Sequence, residues 1–192
     1  MKNIEYAYRI CYKSEGRATE DSYLTFIPKR IGHGSPLEHS VITVLITCSR
    51  GIQQEITRHR HTAFSIESTR WINYFKKQGG EIFFIDPEDD MTAEQKFVYV
   101  SAFKHTESAY NKLIEMGVKP ERARDVLPLG LKSEIVMSGN VRTWRNIFQI
   151  RLIESGAHID FVNVMKMIGD EFLKRGRPLF ADLLEKKDDT DT

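Results

Sequence analysis

Ser40–Cys48 reads SVITVLITC, a run in which valine, isoleucine and threonine fill most places. β-Branched side chains favour extended backbone, so the run predicts a strand. Its two alternating rows are almost equally apolar, which predicts burial on both faces. The period then changes. Ile52–Arg60 reads as a helix, and Ala93–Met116 carries Phe97, Val100, Phe103, Ala109 and Leu113 as an approximate helical stripe over several turns.

Outward from that strand toward the N-terminus, Gly32-His33-Gly34-Ser35-Pro36 packs two glycines and a proline into five residues, which is loop chemistry. Asp21–Ile31 reads as a helix start that Pro28 ends or kinks. Ile4–Tyr12 is mixed and allows a strand or a short helix. Toward the C-terminus, Glu81–Asp86 (EIFFID) predicts a second strand ending at Pro87, and Pro120 opens a short helix that stops near Leu127-Pro128. Ser138-Gly139-Asn140 reads as a turn with a candidate N-cap, followed by a helix over Val141–Glu154 with Trp144, Ile147, Phe148 and Leu152 at helical spacing. A further helix runs from about His158 to Lys174, and Gly176 and Pro178 end it. Trp144, Phe148 and Tyr74 are expected in the core. No repeat or linker divides the chain. These readings predict an α+β class: a single helix-rich domain with a small mixed or antiparallel sheet over residues 1–184, and a charged, frayed tail (EKKDDTDT) over 185–192.

With 192 residues, 41% of them apolar, the chain can bury a full core, and a formal net charge of +1 gives no basic field for a nucleic-acid scaffold. Cys11 and Cys48 stand far apart with no CxxC spacing, so neither a disulfide framework nor a metal site is expected. No stretch approaches the roughly 18 apolar residues of a membrane span. A reduced, cytoplasmic setting is the corresponding expectation.

Anion chemistry must therefore come from local clusters, and the richest is Thr57–Tyr74, TRHRHTAFSIESTRWINY. Three arginines and two histidines within a few turns of chain can surround a polyanion, because the planar guanidinium fork matches phosphate and paired carbonyl oxygens. Taken alone, an RHRH run more often marks a solvated basic face. Order is what separates the two readings. Arg58-His59-Arg60 is followed, after seven residues, by Ser68, then Arg70 and the aromatic Trp71.

That arrangement resembles the signature of the flavin-dependent thymidylate synthases. Gly32–His39 (GHGSPLEH) resembles the family's GH-x-[ST]-P-x-EH segment, and Ala7–Tyr12 (AYRICY) its N-terminal stretch. Ala123–Pro128 (ARDVLP) is similar to the A-R-x-x-L-P element, and Asn140, Arg142, Asn146 and Arg151 fall at the spacing N-x-R-x3-N-x4-R. The match covers residues from about 7 to 175, in order. Three positions depart from it: Ile66 stands where glutamine or glutamate is common, Trp71 where tyrosine is usual, and Glu55 where glutamine is frequent.

The resemblance implies reductive methylation of dUMP to dTMP, with 5,10-methylenetetrahydrofolate as carbon donor and NADPH supplying hydride through FAD. It implies that His33, Ser35, Arg58, His59, Arg60, Ile66, Asn140, Arg142 and Asn146 hold FAD. Glu55, Arg58, Glu67, Ser68, Arg70, Arg124 and Arg151 would contact dUMP, the phosphate falling to Ser68, Arg70 and Arg124. Arg151 would be the catalytic group at the uracil N3 and carbonyl region, and a homotetramer with sites at subunit interfaces is implied. Arginine keeps its proton at ordinary pH, so Arg151 is expected to stabilise charge rather than act as a base. Neither cysteine lies among the residues implied for FAD or dUMP, which leaves a thiolate route without a candidate in the expected surroundings. A relative that binds FAD or nucleotide without methylating, suggested by Ile66 and Trp71, is the first rival reading. A small nucleic-acid-binding domain is the second.

Overall fold

A computed structural model describes residues 1–86, 91–154 and 156–185. The run at the centre of the sequence reading forms β1, Val41–Ser49, which with β2, Thr62–Ile66, and β3, Lys132–Asn140, makes a small antiparallel sheet in the order β1-β3-β2. In chain order the α-helices are α1 (Lys2–Ile10), α2 (Tyr23–Phe26), α3 (Arg50–Ile56), α4 (Tyr74–Lys77), α5 (Ala93–Glu115), α6 (Pro120–Ala123), α7 (Val141–Phe148), α8 (Ile159–Gly176) and α9 (Ala181–Leu184). This is a helix-rich α+β chain. Pro87 and residues 186–192 of the charged tail lie outside the described residues.

The described residues group into two compact units, one drawn from 1–44, 59–63 and 137–185, the other from 45–58 and 64–136. In the first unit, Ile4 and Tyr8 on α1 are buried one turn apart, which settles the ambiguous N-terminal stretch as a helix. Beside them Arg9 pairs with Glu5 at 2.6 Å, and the Glu5 carboxylate also accepts from Ser22 Oγ. Trp144, Phe148, Phe161, Phe172 and Phe180 form the aromatic heart of this unit, with Trp144 meeting Phe172 edge-on at 5.1 Å. In the second unit Tyr74, Ile82, Tyr110, Ala123 and Leu131 make the core. The core expectations for Trp144, Phe148 and Tyr74 hold.

The α5 expectation also holds, and its start is explained by a capping box in which Thr92 and Gln95 each bond the other's backbone N–H. Of its stripe, Phe103 and Leu113 are half-buried and Val100 and Ala109 are exposed, and the one buried residue of the helix is Tyr110, outside the stripe. Phe103 stacks on Phe84 at 4.3 Å and Tyr110 is fully covered, whereas Phe97 is 73% exposed.

Four expectations are corrected. β1 is an edge strand whose inward row includes Ile46 and Cys48 while Val41 and Leu45 are each 65% exposed, so the apolar outer row is not buried within one chain. Glu81–Asp86 is not a strand: it makes a single bridge, Phe84 to Leu131, and the Ile82 N–H donates to the Glu107 carboxylate instead of a ladder. Ser138-Gly139-Asn140 is not a turn but the end of β3, where Gly139 lies close to Thr62, Thr143 and Trp144 and a Cβ would sit at ordinary contact distance from all three. The helix expected over Val141–Glu154 is α-helical only to Phe148. Gln149–Ile153 is a π-turn, closed by Glu154 N–H donating to Gln149 C=O.

Candidate functional site

The two units carry two sets of the residues singled out by the sequence. In the first, the chain leaving α3 turns through His61, whose φ of +61° is the left-handed conformation that reverses it into β2. His59, just before that turn, is fixed by Thr62 Oγ1 donating to its carbonyl at 2.7 Å. Arg151, carried on the π-turn, donates its Nε–H to His59 Nε2 at 3.1 Å. The Arg151 guanidinium carbon lies 4.5 Å from the Phe161 ring centroid, and the His59 ring meets Phe161 edge-on at 6.1 Å. Burial first, and the Arg151 charge second, hold the His59 imidazole below its ordinary pKa. Five residues of α-helix would turn by about 140°, but the π-turn does not advance in that way, so Asn146 and Arg151 are not related by that angle.

A second cluster of this unit joins the glycine-rich loop to the start of α7. Asn140 caps α7, its Oδ1 accepting from the Thr143 N–H at 2.8 Å, as its sequence position suggested. Arg142 Nη1 donates to Glu38 at 2.6 Å, and its Nε lies 3.1 Å from where a Gly34 Cβ would stand. A Cβ at Gly34 would make the exposed Arg142 side chain give by a few tenths of an ångström. Ser35 begins a short 3₁₀ helix, Ser35–His39, and the His33 carbonyl accepts from the Tyr8 hydroxyl. Arg60 and Asn146 are exposed, and among the described residues neither hydrogen-bonds to another member of the set.

In the second unit Ser68 opens a tight turn whose carbonyl accepts from the N–H groups of Trp71 and Ile72. Arg124, in the 3₁₀ turn after α6, reaches the buried Thr69 hydroxyl at 3.5 Å, and Arg70 lies 3.6 Å from Glu121 on α6 and over Trp71. Arg124 thus reaches the residue next to Arg70 on the Ser68–Trp71 turn, while the Arg70 guanidinium is turned toward Glu121. Glu67 accepts from the Tyr74 hydroxyl at 2.8 Å and from the Glu134 N–H at 3.2 Å, so both its oxygens are engaged within the chain. Burial and the Glu67 hydrogen bond raise the Tyr74 hydroxyl pKa. Glu55 lies on α3 and Ile66 ends β2, both half-buried, while Arg58 is exposed.

Glu38, Glu121 and Phe161 are partners to which the sequence reading gave no role. Glu38 stood inside a recognised segment, but Phe161 offered no signal beyond an apolar position on a helix. Cys48 points inward on β1, where burial pushes its thiol up to about 11, so it stays protonated at neutral pH and is a poor nucleophile. No group of three or more His, Cys, Asp or Glu side chains among the described residues could hold a metal ion, and no described helix is long and apolar enough to cross a membrane.

Known proteins were compared with the chain. A flavin-dependent thymidylate synthase of Haloarcula marismortui is 28% identical over 162 residues, covering 71% of this chain and 66% of its own length. Proteins of the same name from Mycobacterium sp. (strain JLS) and Corynebacterium aurimucosum are 31% and 32% identical, each alignment covering 79% of this chain and 67% of the relative. The chain spans about two thirds of the length of these relatives. The sequence pattern described as thymidylate synthase complementing protein matches residues 1–175, and on that match the chain belongs to this family, alongside relatives named flavin-dependent thymidylate synthase.

Proposed function

We propose that the chain methylates dUMP to dTMP, with FAD as cofactor and 5,10-methylenetetrahydrofolate and NADPH as co-substrates, residues 1–184 acting as one functional domain. The observation that carries the reading is that Arg124 reaches Thr69, next to Arg70, on the Ser68–Trp71 turn, so that this turn carries guanidinium donors suited to a phosphate monoester. Arg151 supplies a fixed positive charge for the uracil ring. Its guanidinium keeps its proton, so it polarises the N3 and carbonyl edge and stabilises negative charge as the ring carbon becomes nucleophilic. Cys48, buried and protonated, does not supply a thiolate for attack on the ring.

The residues implied for FAD have suitable chemistry. The Gly34 backbone is packed against Arg142, leaving the loop and the start of α7 as one polar surface. Arg58 and Arg60 are exposed and can meet a diphosphate; Ser35, Asn140 and Asn146 add neutral donors. Bound there, the flavin would supply the hydride that completes a methyl group, while the chain orients and polarises the reactants. Active sites at the subunit interfaces of a homotetramer, in a cytoplasmic setting that suits two free cysteines, complete the proposal.

Purified protein is expected to be yellow and to form dTMP from dUMP, methylenetetrahydrofolate and NADPH. Bound FAD without any dTMP would favour the non-methylating relative suggested by Ile66 and Trp71. Colourless protein that takes up no added FAD would defeat both.

A further inference from the structure

The structure assigns a shared role to His59 and Phe161, which together set the orientation of the Arg151 guanidinium and are both positioning residues for the group that polarises the pyrimidine. The inference rests on the proposed function for its last step and on geometry for the rest. A guanidinium at the end of a flexible stem has two orientations to fix, the direction of its Nε–H and the tilt of its plane. His59 Nε2 accepts that Nε–H at 3.1 Å, which fixes the first. Phe161, fully buried on α8, lies 4.5 Å from the guanidinium carbon and limits the second. The two rings also brace each other edge-on, and the His59 backbone is tied by Thr62.

This arrangement requires a particular form of His59. To accept from arginine, Nε2 must carry a lone pair, so the ring is neutral with its proton on Nδ1. The π-turn completes the device: it offsets Arg151 from the α7 register and carries it to the two rings. His59 thereby acts through Arg151, a role separate from the flavin contact that the family resemblance implies.

Two measurements test this. In protein without substrates, the Arg151 Nε–H resonance should be protected from solvent exchange and shifted by the Phe161 ring. His59→Ala should remove the protection, Phe161→Leu should remove the ring shift, and His59→Gln, which keeps an acceptor oxygen at the same reach, should retain the protection. An Nε–H signal unmoved by both His59→Ala and Phe161→Leu overturns the proposal. In turnover, His59→Ala should lower kcat on the order of a hundredfold with little change in KM for dUMP, Phe161→Leu about tenfold, and His59→Gln should recover most of the loss. Wild-type activity should fall as pH drops through the His59 pKa, since a protonated ring cannot accept and repels Arg151, the charged group whose field bears on it. His59→Gln should lack that acid limb; an identical limb in His59→Gln, or full kcat in both disruptive variants, overturns the positioning role. Wild-type protein that shows the protected resonance but forms no dTMP leaves the orientation of Arg151 established and refutes the proposed function instead.

Discussion

In the proposed reaction Arg151 presents the charge, and its neighbours dictate what a substitution does. Arg151→Ala should abolish dTMP formation, by a hundredfold or more on the order expected for loss of a preorganised donor, while FAD stays bound. Arg151→Lys should recover little, because an ammonium cannot donate an Nε–H to His59 and still present a planar edge. Steady-state turnover beside the visible spectrum checks both; undiminished turnover in Arg151→Ala would remove the assigned role. His59 also links pH to stability. Its folded-state pKa lies below the ordinary value of 6.5, so the unfolded chain binds the proton more readily. Stability should therefore fall as pH drops below about 6.5 and level off beneath the folded pKa. In His59→Gln that part of the acid sensitivity should vanish from denaturation curves. The sequence made Arg151 legible through spacing and resemblance. It could not show Phe161, because a phenylalanine on a helical stripe looks the same whether it packs a core or supports a cation.

At the scale of elements, Asn140 separates two roles that the motif merges. As the cap of α7, its Oδ1 accepts from Thr143 N–H, so Asn140→Ala should cost about 1 kcal/mol of stability by chemical denaturation. Asn140→Asp keeps the cap oxygen but loses the amide donor and adds a negative charge. It should therefore keep stability and weaken FAD uptake, if the amide serves the cofactor. Loss of stability in Asn140→Asp would show that the cap geometry has another source. The cap, β1, α5 and the start of α7 were legible because each follows from local chemistry: a β-branched run, a helical stripe of several turns, an Asn before an apolar stripe. β3 was not, because the buried row of KSEIVMSGN is Ser133, Ile135, Met137 and Gly139, in which two of four residues are small, and Ser133 is satisfied by Gln53, 80 positions distant in sequence. EIFFID has strand composition but finds only one bridge, since its pairing depends on what the 130–132 segment offers. The π-turn has no local signature.

At the scale of the whole molecule, the outer row of β1 reads as buried from its composition yet is open in a single chain, with Val41 and Leu45 each 65% exposed. Exposed apolar side chains on an edge strand are what an assembling protein covers with another copy, which accords with the proposed homotetramer. Light scattering of the purified protein should give four times the 22.3 kDa chain mass, and a monomer at micromolar concentration would remove the shared-site reading. A stricter test asks whether one site draws its arginines from different copies. Arg70→Ala and Arg151→Ala should each be inactive as separate homotetramers. If a site takes Arg70 from one chain and Arg151 from another, random reassembly of an equal mixture gives one intact pair when a chain of each kind meets in the right order, roughly a quarter of sites in a symmetric tetramer. Mixing the variants under conditions of subunit exchange should then restore about that fraction of wild-type turnover. If both arginines of a site come from one chain, every site in the mixture carries a lesion and activity stays at the background of the single variants, however long the exchange runs.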